Sequence, residues 1–256
     1  MEKQVTEQKL KFPTETVDLP SKGLIYPKDS PLSSGKVEMK YMTAKEEDIL
    51  TNQNYITKGI VLDKLIESLI VSKIDYKDII VGDKNALLIA SRVLGYGKDY
   101  EFRAINPLNN QIENFTIDLT TLKDKNLNPK DLKEEGLNEF DFTLPTSKNL
   151  ITFKLLTHGD ENSIDRELQG LKKLKKETLP EASTRLKYLI TSVDGDREKK
   201  TIREFVDNYL LAKDARALRE KVRQVSPDID LKYVGDEGEE VSVPINANFF
   251  WPDSTI

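Results

Sequence analysis

The sequence contains no cysteine, which removes disulfides, thiolate zinc sites and cysteine nucleophiles. It contains one histidine, His158, so a Ser-His-Asp triad or a multi-histidine metal site would have to be built on that residue alone. No apolar run approaches the ~18 residues that cross a bilayer. Met1 to Lys11 is charged and lacks an apolar signal core, so the chain is expected to be made and used in a cytoplasm, or in a particle assembled there. A basic excess is also missing. With 39 Lys and Arg against 44 Asp and Glu, the formal charge is −5, which weighs against a nonspecific nucleic-acid surface. No basic stripe with interleaved aromatics compensates for it.

What is present is apolar periodicity. Ala86, Leu87, Ile89, Ala90, Val93 and Leu94 fall on one helical face, with Asp83 as the expected N-cap and Gly95 as the expected stop. Tyr100, Phe102 and Ala104 then alternate as a strand, Asn106-Pro107-Leu108-Asn109-Asn110 turns, and Ile112, Phe115 and Ile117 return. A second hairpin is expected from Phe140, Phe142 and Leu144 with Ile151, Phe153 and Leu155. Further helices are expected from the capping box Thr43 to Glu46, from Ile60 to Ile70, from Thr157 through Leu168, and over 202–211 and 215–225. Arg185 to Val193 is amphipathic, and the basic run from Leu171 to Lys176 reads as a solvated helix face.

The two halves echo each other. Met39-Lys40-Tyr41-Met42-Thr43 corresponds to Phe153-Lys154-Leu155-Leu156-Thr157, each followed by an acidic pair, and Asp83 to Arg92 corresponds loosely to Asp214 to Arg223. One reading is an internal duplication of a strand, three-helix, hairpin unit. The other is chance likeness between two amphipathic α+β segments. The expected fold class is α+β, predominantly helical, with two similar lobes that each carry helices and a small hairpin. The expected organisation is an extended N-terminal arm over 1–36, a first lobe over 37–122, a charged connector over 123–138 and a second lobe over 139–256.

Two stretches offer candidate contact residues. Pro13, Pro20, Pro27 and Pro31 break helix through the arm, leaving Leu19, Pro20 and Tyr26 on extended backbone. They either pack on their own domain or dock on a neighbouring subunit. Phe249, Phe250 and Trp251 near the C-terminal end either fold back into the second lobe or fill a partner's pocket. For chemistry, His158 with Asp160 and Glu161 is the best hydrolytic candidate, and these three read more simply as a helix N-terminus with acids complementing the dipole. The expectation is no enzyme, no cofactor and no metal.

Leu19-Pro20-Ser21-Lys22-Gly23 with Tyr26-Pro27, the Gly95-Tyr96-Gly97 break before the hairpin, and the terminal Phe249-Phe250-Trp251-Pro252 resemble, in that order, the baseplate hub protein family of T-even-type bacteriophages. The resemblance implies a tail baseplate hub component acting through protein–protein contacts with other tail proteins, without nucleic acid, membrane or small-molecule substrate. An assembly chaperone absent from the finished tail is the alternative. Related proteins carry a Cys-Pro-x-Cys knuckle where this chain has Asn106-Pro107-Leu108-Asn109, and asparagine supplies no thiolate for zinc. The hairpin tip is therefore expected to rely on turn chemistry.

Overall fold

In a computed structural model, residues 13–174, 179–235, 237–245 and 249–250 are described. The first half runs β1 (Thr14–Asp18), β2 (Lys36–Lys40), α1 (Ala44–Leu50), α2 (Gln53–Thr57), α3 (Val61–Leu69), α4 (Val81–Tyr96), β3 (Asp99–Ile105), β4 (Ile112–Asp118) and β5 (Lys123–Lys125). The second half runs β6 (Phe140–Thr143), β7 (Leu150–Phe153), α5 (His158–Lys173), α6 (Glu181–Leu189), β8 (Ile190–Val193), α7 (Lys199–Asn208), α8 (Ala212–Val225), β9 (Asp228–Asp230), β10 (Lys232–Val234) and β11 (Glu240–Ser242). The fold is mixed α+β, with eight α-helices and five small antiparallel sheets among the described residues.

Alternation sets which strand faces go inward. Val37 and Met39 of β2 have no exposed surface, while Lys36 and Glu38 between them face out. In the β3–β4 hairpin, Tyr100 lies opposite Ile117 and Phe102 opposite Phe115, so both strands turn the same aromatic face to the core. Leu65, Ile66 and Leu69 do the same for α3 at helical spacing. Each fully buried side chain of this kind contributes about 1.5–3 kcal/mol. The buried residues form one continuous cluster across both halves.

Several expectations are corrected. The arm is not all free extended chain, because β1 pairs along its whole length with β2. Gly95 does not stop α4, which continues to Tyr96 and ends at Gly97 with φ of 86°. Gly95 lies inside the helix because the Met42 side chain packs against its bare Cα. Arg92 helps close the turn, donating to the carbonyls of Gly97 at 3.0 Å and Asp99 at 3.3 Å. Arg185 to Val193 divides into the end of α6 and the strand β8. Within the expected connector, β5 pairs with β9, a strand from the other half of the chain.

Both halves use the same local device after their second strand. Lys40 Nζ reaches Glu46 at 2.8 Å, and Glu46 accepts from the Thr43 backbone at 3.0 Å, closing the capping box that starts α1. Lys154 Nζ reaches Asp160 at 2.8 Å, and Asp160 accepts from the Thr157 backbone at 3.0 Å at the start of α5. The loop Leu19-Pro20-Ser21 donates to Asp83 of α4, and the loop Leu144-Pro145-Thr146-Ser147 donates to Asp214 of α8. Met39 bridges to Ile70 after α3, and Phe153 pairs with Ile190 after α6.

Burial pushes the Glu46 carboxyl up, but hydrogen bonds from Lys40, Thr43 and Ser68 outweigh it and hold the group at about 2. The folded carboxyl is thus more acidic than an unfolded one. Its contribution is complete above the ordinary glutamate range and is lost as pH falls towards 2. Glu46→Gln should flatten the acid limb of stability by about 3 kcal/mol at most. Urea unfolding at neutral pH and at several acidic points checks this. Equal acid sensitivity in the two proteins would refute the assignment.

Candidate functional site

An open concavity lies between two helix stripes. Ala182, Arg185, Leu186 and Leu189 face it from α6, spaced as one helical face. Arg219, Val222 and Arg223 face it from α8, followed by Ser226 and Pro227. The floor is Ile80, Val81, Leu155 and Leu156, from the entry to α4 and the segment after β7. The cleft encloses about 610 Å³, within the range of ligand and peptide pockets.

Its floor is pinned by contacts between the halves. His158 N–H donates to the Ile79 carbonyl at 2.8 Å, and Ile80 bridges to Thr157. Gly82 lies so close to the chain after α8 that an added Cβ would sit 1.8 Å from the Pro227 carbonyl oxygen. Gly82→Ala therefore has to push the α8 exit away and should cost about 1–3 kcal/mol in a urea melt. A variant as stable as the parent would contradict this packing.

The walls are charged at the top and apolar below. Val81 is 41% exposed within the cleft, and Leu156 and Val222 are half-buried there. Arg185 is ion-paired to Glu161. Arg223 bonds Glu220 at 2.8 Å, one turn back on the same helix. Among the described residues Arg219 forms no ion pair, so with Arg223 it makes the α8 edge of the cleft basic, and the exposed Lys213 and Arg216 continue that charge along α8 outside the cleft. Such a wall attracts acidic groups in a partner and does no covalent chemistry by itself.

The expected contact residues lie elsewhere. Leu19, Pro20, Tyr26, Phe249 and Phe250 are all buried in the chain's own core, which corrects their assignment as docking surface. Their apolar bodies are consumed by internal packing. Tyr26 also donates to Asp83 at 2.6 Å, and Phe249 packs edge-on to Tyr100. Trp251 lies outside the described residues.

His158, Asp160 and Glu161 each have other partners. His158 Nε2 is 2.9 Å from Asn162, and its ring lies 4.5 Å from that of Tyr76. Burial lowers its pKa, partly offset by Asp63, whose carboxylate lies 3.8 Å from Nδ1. Asp160 is the capping acid of α5, and Glu161 pairs with Arg185. No group of three histidine, aspartate or glutamate side chains converges as a metal site among the described residues.

The hairpin tip uses turn chemistry. Asn106 and Asn109 donate to Glu113 at 2.8 and 2.7 Å, while their carbonyl oxygens accept from the Leu108 and Gln111 backbones at 2.9 Å each. This rigid tip leaves Ile105, Leu108 and Ile112 about three-fifths exposed, at 59%, 60% and 64%. The cleft was invisible in the sequence because segments far apart in the chain build it. Its one local signal is the spacing of Arg219, Val222 and Arg223 on α8. Comparison of the chain with family models, with curated proteins and with solved structures finds no match.

Proposed function

We propose that this chain is a protein-binding component of bacteriophage tail baseplate assembly, built from two duplicated, mainly helical lobes. The observation that carries the binding role is the open α6–α8 cleft, apolar at its base and arginine-edged at its rim. The tail context rests on the ordered resemblance to baseplate hub proteins. Ser21 and Tyr26 of the Leu19-to-Pro27 stretch are the side chains that hold Asp83 in the core. The duplication is supported by the paired Lys40–Glu46 and Lys154–Asp160 caps and by the paired Asp83 and Asp214 acceptors.

Quantitative mass spectrometry of tails purified from the phage encoding the chain tests the reading. A fixed stoichiometry is expected of a hub component. Presence in tail-assembly intermediates with absence from finished tails assigns the chaperone role. Absence from both overturns the proposal.

A further inference from the structure

Two helix stripes that face each other across an open apolar gap are the arrangement into which a third helix packs. The α6 stripe of Ala182, Arg185, Leu186 and Leu189 and the α8 stripe of Arg219, Val222 and Arg223 each present residues at helical spacing. The chain's net charge is −5, yet α8 turns Arg219 and Arg223 to the cleft, Arg223 paired with Glu220, with Asp228 as the one acid lining the cleft beyond the helix. The opposite rim holds Glu161, already paired with Arg185, and Glu181 at the start of α6. The two walls therefore differ in charge, which gives an occupant a preferred direction of approach and a preferred face.

We propose that the cleft receives an acidic amphipathic helix from a partner protein. Its apolar stripe lies on Val81, Leu156 and Val222, and its acidic flank lies along Arg219 and Arg223. The inference rests on the assembly-protein reading for the partner's origin, and on the cleft alone for the partner's chemistry. Charge complementarity of this kind fixes orientation and speeds encounter, while the apolar floor supplies the larger part of the affinity.

The test uses the full chain and a labelled synthetic helix of about four turns, roughly 14 residues. The peptide carries leucine at alternating three- and four-residue spacing and glutamate along one flank. Controls are the same peptide with lysine for glutamate and a scramble of the same composition. Fluorescence anisotropy should show saturable binding of the acidic peptide, weaker by roughly tenfold or more for either control. R219E/R223E should weaken the acidic peptide by a similar factor and favour the lysine peptide. Val81→Trp, which fills the floor, should block both. Leu108→Ser at the hairpin tip should change neither. Added salt should weaken the complex, because the rim charges are exposed.

Three results would overturn the proposal. One is the absence of saturable binding to protein whose thermal melt is intact. Another is acidic-peptide binding that R219E/R223E leaves unchanged. The third is self-association of the free chain that Val81→Trp abolishes, which would assign the cleft to a second copy. The peptide titration is independent of the tail stoichiometry, so losing the baseplate context would not alter its outcome.

Discussion

Asp83→Ala is expected to lower the free energy of unfolding by about 3–5 kcal/mol, because it removes the acceptor of three buried hydrogen bonds. Asp83 has no exposed surface. Its carboxylate accepts from the Ser21 backbone at 2.9 Å, from Ser21 Oγ at 2.7 Å and from the Tyr26 hydroxyl at 2.6 Å. The Tyr26 oxygen in turn accepts from the Ile80 backbone at 3.2 Å, so one carboxylate ties the β1–β2 loop to the first turn of α4. Burial raises its pKa, and the bonds from Tyr26 and Ser21 act against that rise. Asp83→Asn keeps the shape but turns an amide N–H₂ towards donors, and should cost about 1–3 kcal/mol. Asp214→Ala releases the Thr146 and Ser147 backbone N–H groups of a half-exposed loop and should cost less than Asp83→Ala. Urea unfolding followed by circular dichroism ranks the three variants. If Asp83→Ala melts within about 1 kcal/mol of the parent, the loop and helix are not held through this carboxylate.

Asp83 also shows how far sequence pattern reaches in this chain. Its position before an apolar stripe reads as an N-cap. In the fold Ile80 occupies that place, and Asp83 points inward to a loop 62 residues earlier. A local rule assigns the nearest backbone as partner and cannot see a distant one. Where the partner is local, the pattern suffices. Thr43 and Glu46 form their capping box because the residues involved lie within one turn. The β3–β4 and β6–β7 hairpins follow from period-two alternation around short turns. The β5–β9 pair was not legible, because Lys-Asp-Lys against Asp-Ile-Asp is three charged-rich residues per strand with no apolar period. The cleft is harder still. Its residues obey helical spacing, but the faces that remain uncovered are decided only when α6 and α8 are placed apart.

The terminal aromatics give the second large effect. Phe249→Ala and Phe250→Ala should each cost about 3–5 kcal/mol, as expected for phenylalanine removed from a closed core. Both rings are fully buried. The Phe249 ring lies 4.8 Å from Tyr100 at 74°, and the Phe250 ring lies 5.3 Å from Phe249 at 87°, both edge-to-face. Tyr100 stacks on Phe102, Phe102 stacks on Phe115, and Tyr233 packs edge-on against both phenylalanines. The row therefore runs from the C-terminal region across the β3–β4 hairpin to β10. Tyr100 also donates to the Pro244 carbonyl at 3.1 Å, fixing the chain just before the two phenylalanines. The neighbouring substitutions share one space, so the double variant should lose less than the sum of the singles. Deleting residues 249–256 should expose the Tyr100–Phe102 face and raise binding of an apolar dye along with the loss of stability. The contrary result has a clear meaning. If the deletion keeps full stability and abolishes binding to another protein, these rings serve a partner, and the packing against Tyr100 contributes little to the fold.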